Sequence, residues 1–302
     1  MTKNVFISGG LGQDGQILIK LFKKKKFNLF IFSKKKIKNK NNIKFINSNL
    51  LDKKKLDKIF KKIEPHIVLH LAANNPSYKE KSNTLFFKEN FKASKNIFLS
   101  TFVANINAKF IFCSSSQIFK KKIGLVDEQS RISIKSDYTK FRIKTNKLML
   151  DYKRKWNIRY TNVILFNHDS KYRNPKFILP RIILSLINKD TKFLNNIIKA
   201  NIFADFSHAE DICLALFKLV FSHINIDKII LSSNKPTSLN DVIYDLIKKN
   251  RIKVNINFKK IINNKCLIGN NKLAKKLLKW HPKKNIYIAA NDIYKLNISK
   301  PA

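Results

Sequence analysis

The 302 residues carry 62 Lys and Arg against 19 Asp and Glu, a formal net charge of +43. Lysine runs at 23–26, 34–36, 53–55 and 275–276 are spread along the whole chain among abundant Asn, Ile and Phe, so the charge reads as A/T-rich codon bias on a solvated surface and argues against a specific nucleic-acid partner. Cys113, Cys213 and Cys266 lack disulfide or zinc spacing, Met1 is not followed by an apolar h-region, and no run approaches the ~20 apolar residues that cross a bilayer, so a cytoplasmic protein with no membrane partner is expected.

In chain order, NVFIS (4–8) predicts a strand, ILIKLFKKK (17–25) a helix, LFIFS (29–33) and IKFINS (43–48) strands, LDKIFKKI (56–63) a helix and IVLHLAA (67–73) a strand. A helix over 85–104 leads to the strand KFIFCSS (109–115), and a helix from 138 to about 155 leads to the strand YTNVILF (160–166). Strands apolar on both faces and separated by helices predict a parallel sheet covered on both sides, a doubly wound α/β fold of the Rossmann kind. Beyond 166 the pattern predicts helices near 176–188, 209–222, 238–250 and 271–279 and a strand in KIILSS (228–233), read as a smaller, partly helical C-terminal lobe. The expected division is a dinucleotide-binding domain over 1–166 and a mainly substrate-binding lobe over 167–302, with 196–222 returning to the first domain. No Pro/Gly/Ser-rich linker separates them, so an extensive shared interface is expected.

Of six glycines, Gly9, Gly10, Gly12 and Gly15 fall in SGGLGQDG, directly after the first strand. Gly9, Gly12 and Gly15 make GxxGxxG, where missing Cβ atoms allow a tight turn, close approach of backbone to a diphosphate and close helix–strand packing. The helix that follows offers its N-terminal N–H groups to the phosphates. About twenty residues on, an NAD-selective site would place Asp or Glu at the end of the second strand; here stand Ser33, Lys34, Lys35 and Lys36, which favours NADP over NAD.

With these features the chain resembles the extended short-chain dehydrogenase/reductase family (the NAD-dependent epimerases and dehydratases), and within it most closely the GDP-mannose 4,6-dehydratases. SGGLGQDGQIL, with Gln13 and Asp14, is similar to that group's nucleotide loop, LHLAANN (69–75) to the segment beside the cofactor riboses, SNL (48–50) to the pair that reads adenine, CSSSQIF (113–119) to the strand of the catalytic Ser, and ILFNHDSKYR (164–173) to its Asn-His-Glu-Ser segment. DFSHAEDI (205–212) and GNNKLAKKLLKWHP (269–282) are similar to segments bounding the sugar-nucleotide pocket and the C-terminal lobe. The resemblance implies cofactor contacts at Gly9, Gly12, Gln13, Asp14, Gly15, Ser33, Lys34, Asn49, Leu50, Leu71, Ala72, Ala73, Tyr138, Arg142, His168 and Arg173, substrate contacts at Asn75 and Asn167, and no metal. It also implies a nucleotide-sugar substrate, a homodimer or homotetramer, and a redox-neutral 4,6-dehydration in which NADP takes hydride from sugar C4 and returns it to C6. Tyr138 would take the C4 hydroxyl proton, Ser115 would bond that oxygen, and the residue four beyond the Tyr would anchor the ribose.

Three positions depart from that pattern. Gln117 stands where a carboxylate would serve at C5 and C6, and an amide does not exchange protons near neutral pH. Arg142 stands where a lysine is expected; it keeps the charge and the i, i+4 placement with a bulkier planar head. Ala204 stands where an arginine would grip the sugar nucleotide. A C4 reductase or epimerase needs no carboxylate at 117, and a catalytically impaired binding homologue would account for all three departures. His208 is expected to open a helix and Trp280 to pack in the core of the smaller lobe, while His66, His70, His223 and His281 show no ligand spacing.

Overall fold

The computed structural model describes residues 2–33, 36–73, 84–258 and 265–299. Its first half is built from β1 (Lys3–Ser8), α1 (Gln13–Lys23), β2 (Phe27–Ser33), β3 (Ile43–Asn47), α2 (Lys53–Ile63), β4 (Ile67–His70), α3 (Thr84–Ala104), β5 (Lys109–Ser115), β6 (Gly124–Val126), α4 (Asp137–Trp156) and β7 (Arg159–Leu165). The second half contributes β8 (Asn167–Asp169), α5 (Ile178–Ile187), α6 (Thr191–Ala200), β9 (Phe203–His208), α7 (Ala209–Phe221), β10 (Lys228–Leu231), β11 (Pro236–Ser238), α8 (Leu239–Asn250), β12 (Leu267–Gly269), α9 (Lys272–Leu278) and α10 (Ile286–Ile298).

Seven parallel strands form the main sheet in the order β10-β7-β5-β4-β1-β2-β3. Ile7 of β1 lies opposite Ile31 of β2 on one side and Leu69 of β4 on the other. The chain winds outward from β1 in both directions, so a crevice opens where the C-terminal ends of β1 and β4 diverge. Consecutive residues Val5, Phe6 and Ile7 are all fully buried, as strands covered on both faces require. One face packs under α1, α7 and α9 through Leu18, Phe22, Leu216 and Trp280. The other packs under α2, α3 and α4 through Phe60, Phe98, Phe141 and Met149. In this phenylalanine-rich chain the second face is an aromatic layer: Phe98 lies 4.9 Å from Phe102, 5.1 Å from Phe110 and 6.0 Å from Tyr160, edge to face.

Lysine is also put to use inside. Lys109, 4% exposed, starts β5 and turns its ammonium onto the end of α7, donating to the carbonyls of Leu219 and Ser222. Burial, then the charge of Arg159, pulls its pKa down to about 8. Lys218 of α7 in turn donates to the carbonyls of Leu278 (3.2 Å) and Lys279 (2.7 Å), closing the end of α9.

The remaining elements form a second layer. Leu179, Ile183, Leu194, Phe206, Leu246 and Ile293 gather α5, α6, α8 and α10 around β9. Here β9 pairs in parallel with β8 and antiparallel with β11, and β12 pairs with β6. The buried Asp205 carboxylate binds these pieces together by accepting from Ser233 N (2.8 Å), Ser233 Oγ (2.6 Å), Asn234 N (3.1 Å) and Gly269 N (3.1 Å).

Several expectations change. KIILSS, placed in the smaller lobe from sequence, supplies the edge strand β10 of the main sheet beside β7. Of the segment 196–222 expected to return to the first domain, α7 does pack against the sheet, but the part in α6 lies in the second layer. Trp280 is 1% exposed in the sheet-side core, where its indole N–H donates to Asp211 O at 2.9 Å, and not in the core of the smaller lobe. The helices α6 and α10 have no counterpart among the expected helices. His208 behaves as expected: it caps α7 by accepting from Glu210 N at 3.1 Å. No helix among the described residues is long and apolar enough to cross a membrane.

Candidate active site

The glycine turn is built as its spacing requires. Gly9 has φ +77°, and a Cβ there would stand 2.9 Å from Ala72 N. A Cβ on Gly15 would stand 2.3 Å from Gly10 Cα, so the helix start lies directly on the turn. Gly12 is the N-cap of α1 and has no side chain to close the helix, which leaves first-turn N–H groups open to an anion. Gly9, Gly12, Gln13, Asp14 and Gly15 line a cavity of about 440 Å³ together with Leu71, Ala72 and Ala73 from the end of β4 and Tyr172 and Arg173 from the facing lobe. A cradle of bare backbone at a helix N-terminus, walled by apolar groups, fits a dinucleotide and its diphosphate.

The seam between β1 and β4 is fixed by His70, a residue given no role from sequence. Ser8 Oγ meets His70 Nδ1 at 2.6 Å, His70 Nε2 meets Ser94 Oγ at 2.8 Å, and Ala72 N donates to Ser8 Oγ at 3.3 Å. Because Ser94 Oγ itself donates to Asn90 O, it accepts from Nε2–H, and Nδ1 accepts from Ser8. Burial, then the nearby Arg142 charge, push the His70 pKa down to about 3, so the ring stays neutral. Nothing in its spacing marks this role; the only signal is a histidine inside an otherwise apolar strand.

Next to the first cavity lies a second, of about 330 Å³, lined by Ser115, Gln117, Tyr138, Arg142, Asn167 and His168 among others; Asp14, Leu71, Arg173 and Phe177 line both. Ser115 ends β5, and its Oγ accepts from Gln117 N at 3.3 Å. A capping box between Ser136 and Thr139 starts α4 and sets Tyr138 in its first turn, 9% exposed. One turn later the Arg142 guanidinium, 4% exposed, lies 5.1 Å from the Tyr138 ring centroid and 4.8 Å from that of Phe141, and donates to Cys113 O. The arginine thus holds a fixed positive charge against the phenol, as the i, i+4 spacing predicts. Asp14 is the only carboxylate among the described residues lining this second cavity, against Arg142, His168, Arg173 and Lys176.

Asp14 is itself engaged. His168 Nδ1 donates to Phe166 O at 2.7 Å, which turns Nε2 to the Asp14 carboxylate at 3.1 and 3.2 Å. Burial opposes the Asp14 charge, but facing His168 and Arg173 outweigh it and hold the carboxyl below its ordinary range. Burial likewise opposes the His168 charge, and Asp14 outweighs it and raises the imidazole. Beside them Gln13 Nε2 donates to His168 O and Gln13 Oε1 accepts from Ser170 Oγ, both at 3.1 Å. Arg173 pairs with Asp169 at 2.9 Å, with its guanidinium carbon 3.6 Å from the Phe177 ring centroid.

Other expected contacts fall elsewhere. Ser33 is buried and its carbonyl accepts from Asn47; Asn49 is exposed and its side chain accepts from Leu51 N; Leu50 packs on the α2–α3 core. None of the three lines either cavity. Ala204 packs beside the second-layer core. Lys34 and Asn75 lie outside the described residues.

The sequence profile of the NAD dependent epimerase/dehydratase family matches residues 5–227. Among solved structures, the fold is similar to UDP-glucose 4-epimerase from Thermotoga maritima with UDP-glucose (17% identity, 98% of this chain and 100% of that one, TM-score 0.82). It is similar to dTDP-glucose 4,6-dehydratase from Bacillus anthracis in complex with NAD (14% identity, 99% and 97%, TM-score 0.82). It is similar also to RMD from Pseudomonas aeruginosa complexed with NADPH (15% identity, 98% and 97%, TM-score 0.78). A search of the curated proteins finds no match.

Proposed function

This chain belongs to the NAD-dependent epimerase/dehydratase family, and from that membership we propose that it is a nicotinamide-dependent enzyme acting at C4 of a nucleotide sugar, either as an epimerase that oxidises and re-reduces that carbon or as a ketoreductase that reduces a 4-keto group with NADPH or NADH. One observation carries the reading: Ser115, Tyr138 and Arg142 line one cavity that adjoins the glycine cradle, and its only described carboxylate, Asp14, is bound to His168. When bound, the dinucleotide supplies the hydride acceptor and donor. Tyr138 exchanges the proton of the C4 hydroxyl, Ser115 hydrogen-bonds the same oxygen, and Arg142 keeps a permanent cation 5.1 Å from the Tyr138 ring centroid. Asn167, exposed on β8 in the same cavity, faces the sugar. Ser33 and Lys34, with no carboxylate at the end of β2, favour NADP; the similar solved structures hold NAD in one case and NADPH in another.

The second reading is a 4,6-dehydratase of the GDP-mannose type. It is favoured by the likeness of SGGLGQDG and ILFNHDSKYR to that group, two segments that touch each other here through Gln13, Asp14, His168 and Ser170. Its elimination step requires a proton-exchanging group where Gln117 stands.

Purified protein should be given UDP-glucose and GDP-mannose with NADP or NAD, and a 4-keto sugar nucleotide with NADPH or NADH, with products followed by NMR and by nicotinamide absorbance. A C4 epimer without net absorbance change, or reduction of the keto sugar with loss of absorbance, supports the first reading. A 4-keto-6-deoxy product supports the second. Nucleotide-sugar binding without any turnover would refute both and leave a binding homologue.

A further inference from the structure

The resemblance assigns Gln13, Asp14 and His168 to direct cofactor contact, yet their side chains are occupied with one another and with Ser170. Gln13 reaches across to His168 O and Ser170 Oγ, and the Asp14 carboxylate faces His168 Nε2. These bonds run from the first turn of α1 to β8 and the residue after it, and Gln13 and His168 are only 6% and 8% exposed. Asp14 also lines the cavity formed by Gly9, Gly12 and Gly15. A carboxylate there suits the helix dipole, but it stands against the diphosphate that the same turn is shaped to hold.

Resting on the cofactor reading above, we propose that Gln13, Asp14, His168 and Ser170 form a charge-neutral clasp between the glycine turn and the facing lobe. His168 supplies the positive charge that allows Asp14 to remain beside a dinucleotide diphosphate. The four are positioning residues: they hold β8, and with it Asn167, in register with the cofactor cradle.

The clasp has a non-additive signature that direct contacts lack. Near pH 6.5, NADPH is titrated by fluorescence, with NADH in parallel, into wild type, Asp14→Asn, His168→Gln and the double variant, and the thermal melts of the four unliganded proteins are compared. His168→Gln leaves the Asp14 carboxylate with the Gln13 hydrogen bond and the Arg173 charge but without its imidazole partner, and should weaken NADPH binding roughly tenfold. Asp14→Asn should tighten it roughly twofold to threefold, and the double variant should return to within about threefold of wild type. The unliganded melts should show the same coupling, the double variant losing less than the sum of the singles. The proposal is overturned if the double variant binds as weakly as His168→Gln, which would make His168 a direct contact, or if Asp14→Asn weakens binding. Should His168→Gln not fold, Asp14→Asn alone decides by the sign of its effect. If wild type binds neither dinucleotide, the cofactor reading itself falls and takes the clasp with it, an outcome visible before any variant is compared.

Discussion

Replacing Gly9 with alanine tests the cradle directly. At φ +77° an L side chain costs about 1 kcal/mol in backbone strain. The new Cβ would also stand 2.9 Å from Ala72 N, 3.1 Å from Ala72 Cα and 3.1 Å from the Leu71 carbonyl carbon. All three are backbone atoms, so no rotamer change relieves them and the β1 turn must part from the chain after β4 by a few tenths of an ångström. Overpacking of this kind costs about 1–3 kcal/mol, which brings the sum to about 2–4 kcal/mol. In a chain of this size each kcal/mol moves Tm by roughly 2 °C, so Gly9→Ala should melt about 4–8 °C lower. It should bind NADPH more weakly as well, because the Ser8–Ala72 bond on the same seam is stretched. Gly124→Ala is the control: its φ is +91°, but its Cβ would meet only the flexible end of Lys121, so the strain alone should lower Tm by about 2 °C. Thermal melts and NADPH titrations of both variants measure the difference. If Gly9→Ala falls no further than Gly124→Ala and binds NADPH like the parent, the packing argument for the cradle is wrong.

Tyr138→Phe keeps the ring beside Arg142 but removes the proton-exchanging oxygen, and should lower kcat by about 10²–10⁴ while leaving nucleotide affinity and Tm near those of wild type; stopped-flow absorbance and melts separate the two. Gln117→Glu should create or raise formation of a 4-keto-6-deoxy product from GDP-mannose, detected by NMR, since it puts a carboxylate in the cavity where the elimination needs a proton-exchanging group. The Asp14–His168 pair predicts a pH dependence of stability. His168 is raised above its ordinary 6.5, so its share is complete below 6.5 and lost as pH rises through the raised value; Asp14 is lowered below its ordinary 3.8, so its share is complete above 3.8 and lost as pH falls through the lowered value. Urea unfolding of wild type against the double variant Asp14→Asn/His168→Gln should therefore show the largest difference between pH 3.8 and 6.5 and a shrinking one above it; a difference that does not shrink as pH rises above 6.5 through the raised imidazole value would contradict the pairing.

Most of the sheet was legible in the sequence because its inner strands are compact runs of residues apolar on both faces, and the glycine turn because its residues are nearly the only glycines in the chain. The Tyr138/Arg142 spacing on α4 was legible for the same local reason: it is a matter of helix periodicity. What the sequence concealed depends on contacts across distance. β10 and Trp280 read alike in either lobe, since burial in one core or another leaves no trace in a short apolar run. β8, β11 and β12 are three-residue strands defined by their partners more than by their composition. His70 and the clasp of Gln13 with Ser170 join residues 62 and 157 positions away along the chain, beyond the reach of any periodicity. α6, with its Lys and Asn residues, and α10 close the second layer through faces whose significance appears only once β9 lies beneath them.

Lys109 and Lys218 set two amines apart from the many others. Most lysines stand in solvent, where an acylating mass tag reaches them at once. These two are engaged with carbonyl oxygens at the ends of α7 and α9, and Lys109 is almost wholly covered. In a timed labelling experiment read by mass spectrometry, tag arriving on Lys109 therefore reports that the end of α7 has come away from the first residue of β5. The chain's abundance of lysine thus contains its own clock for the opening of its core.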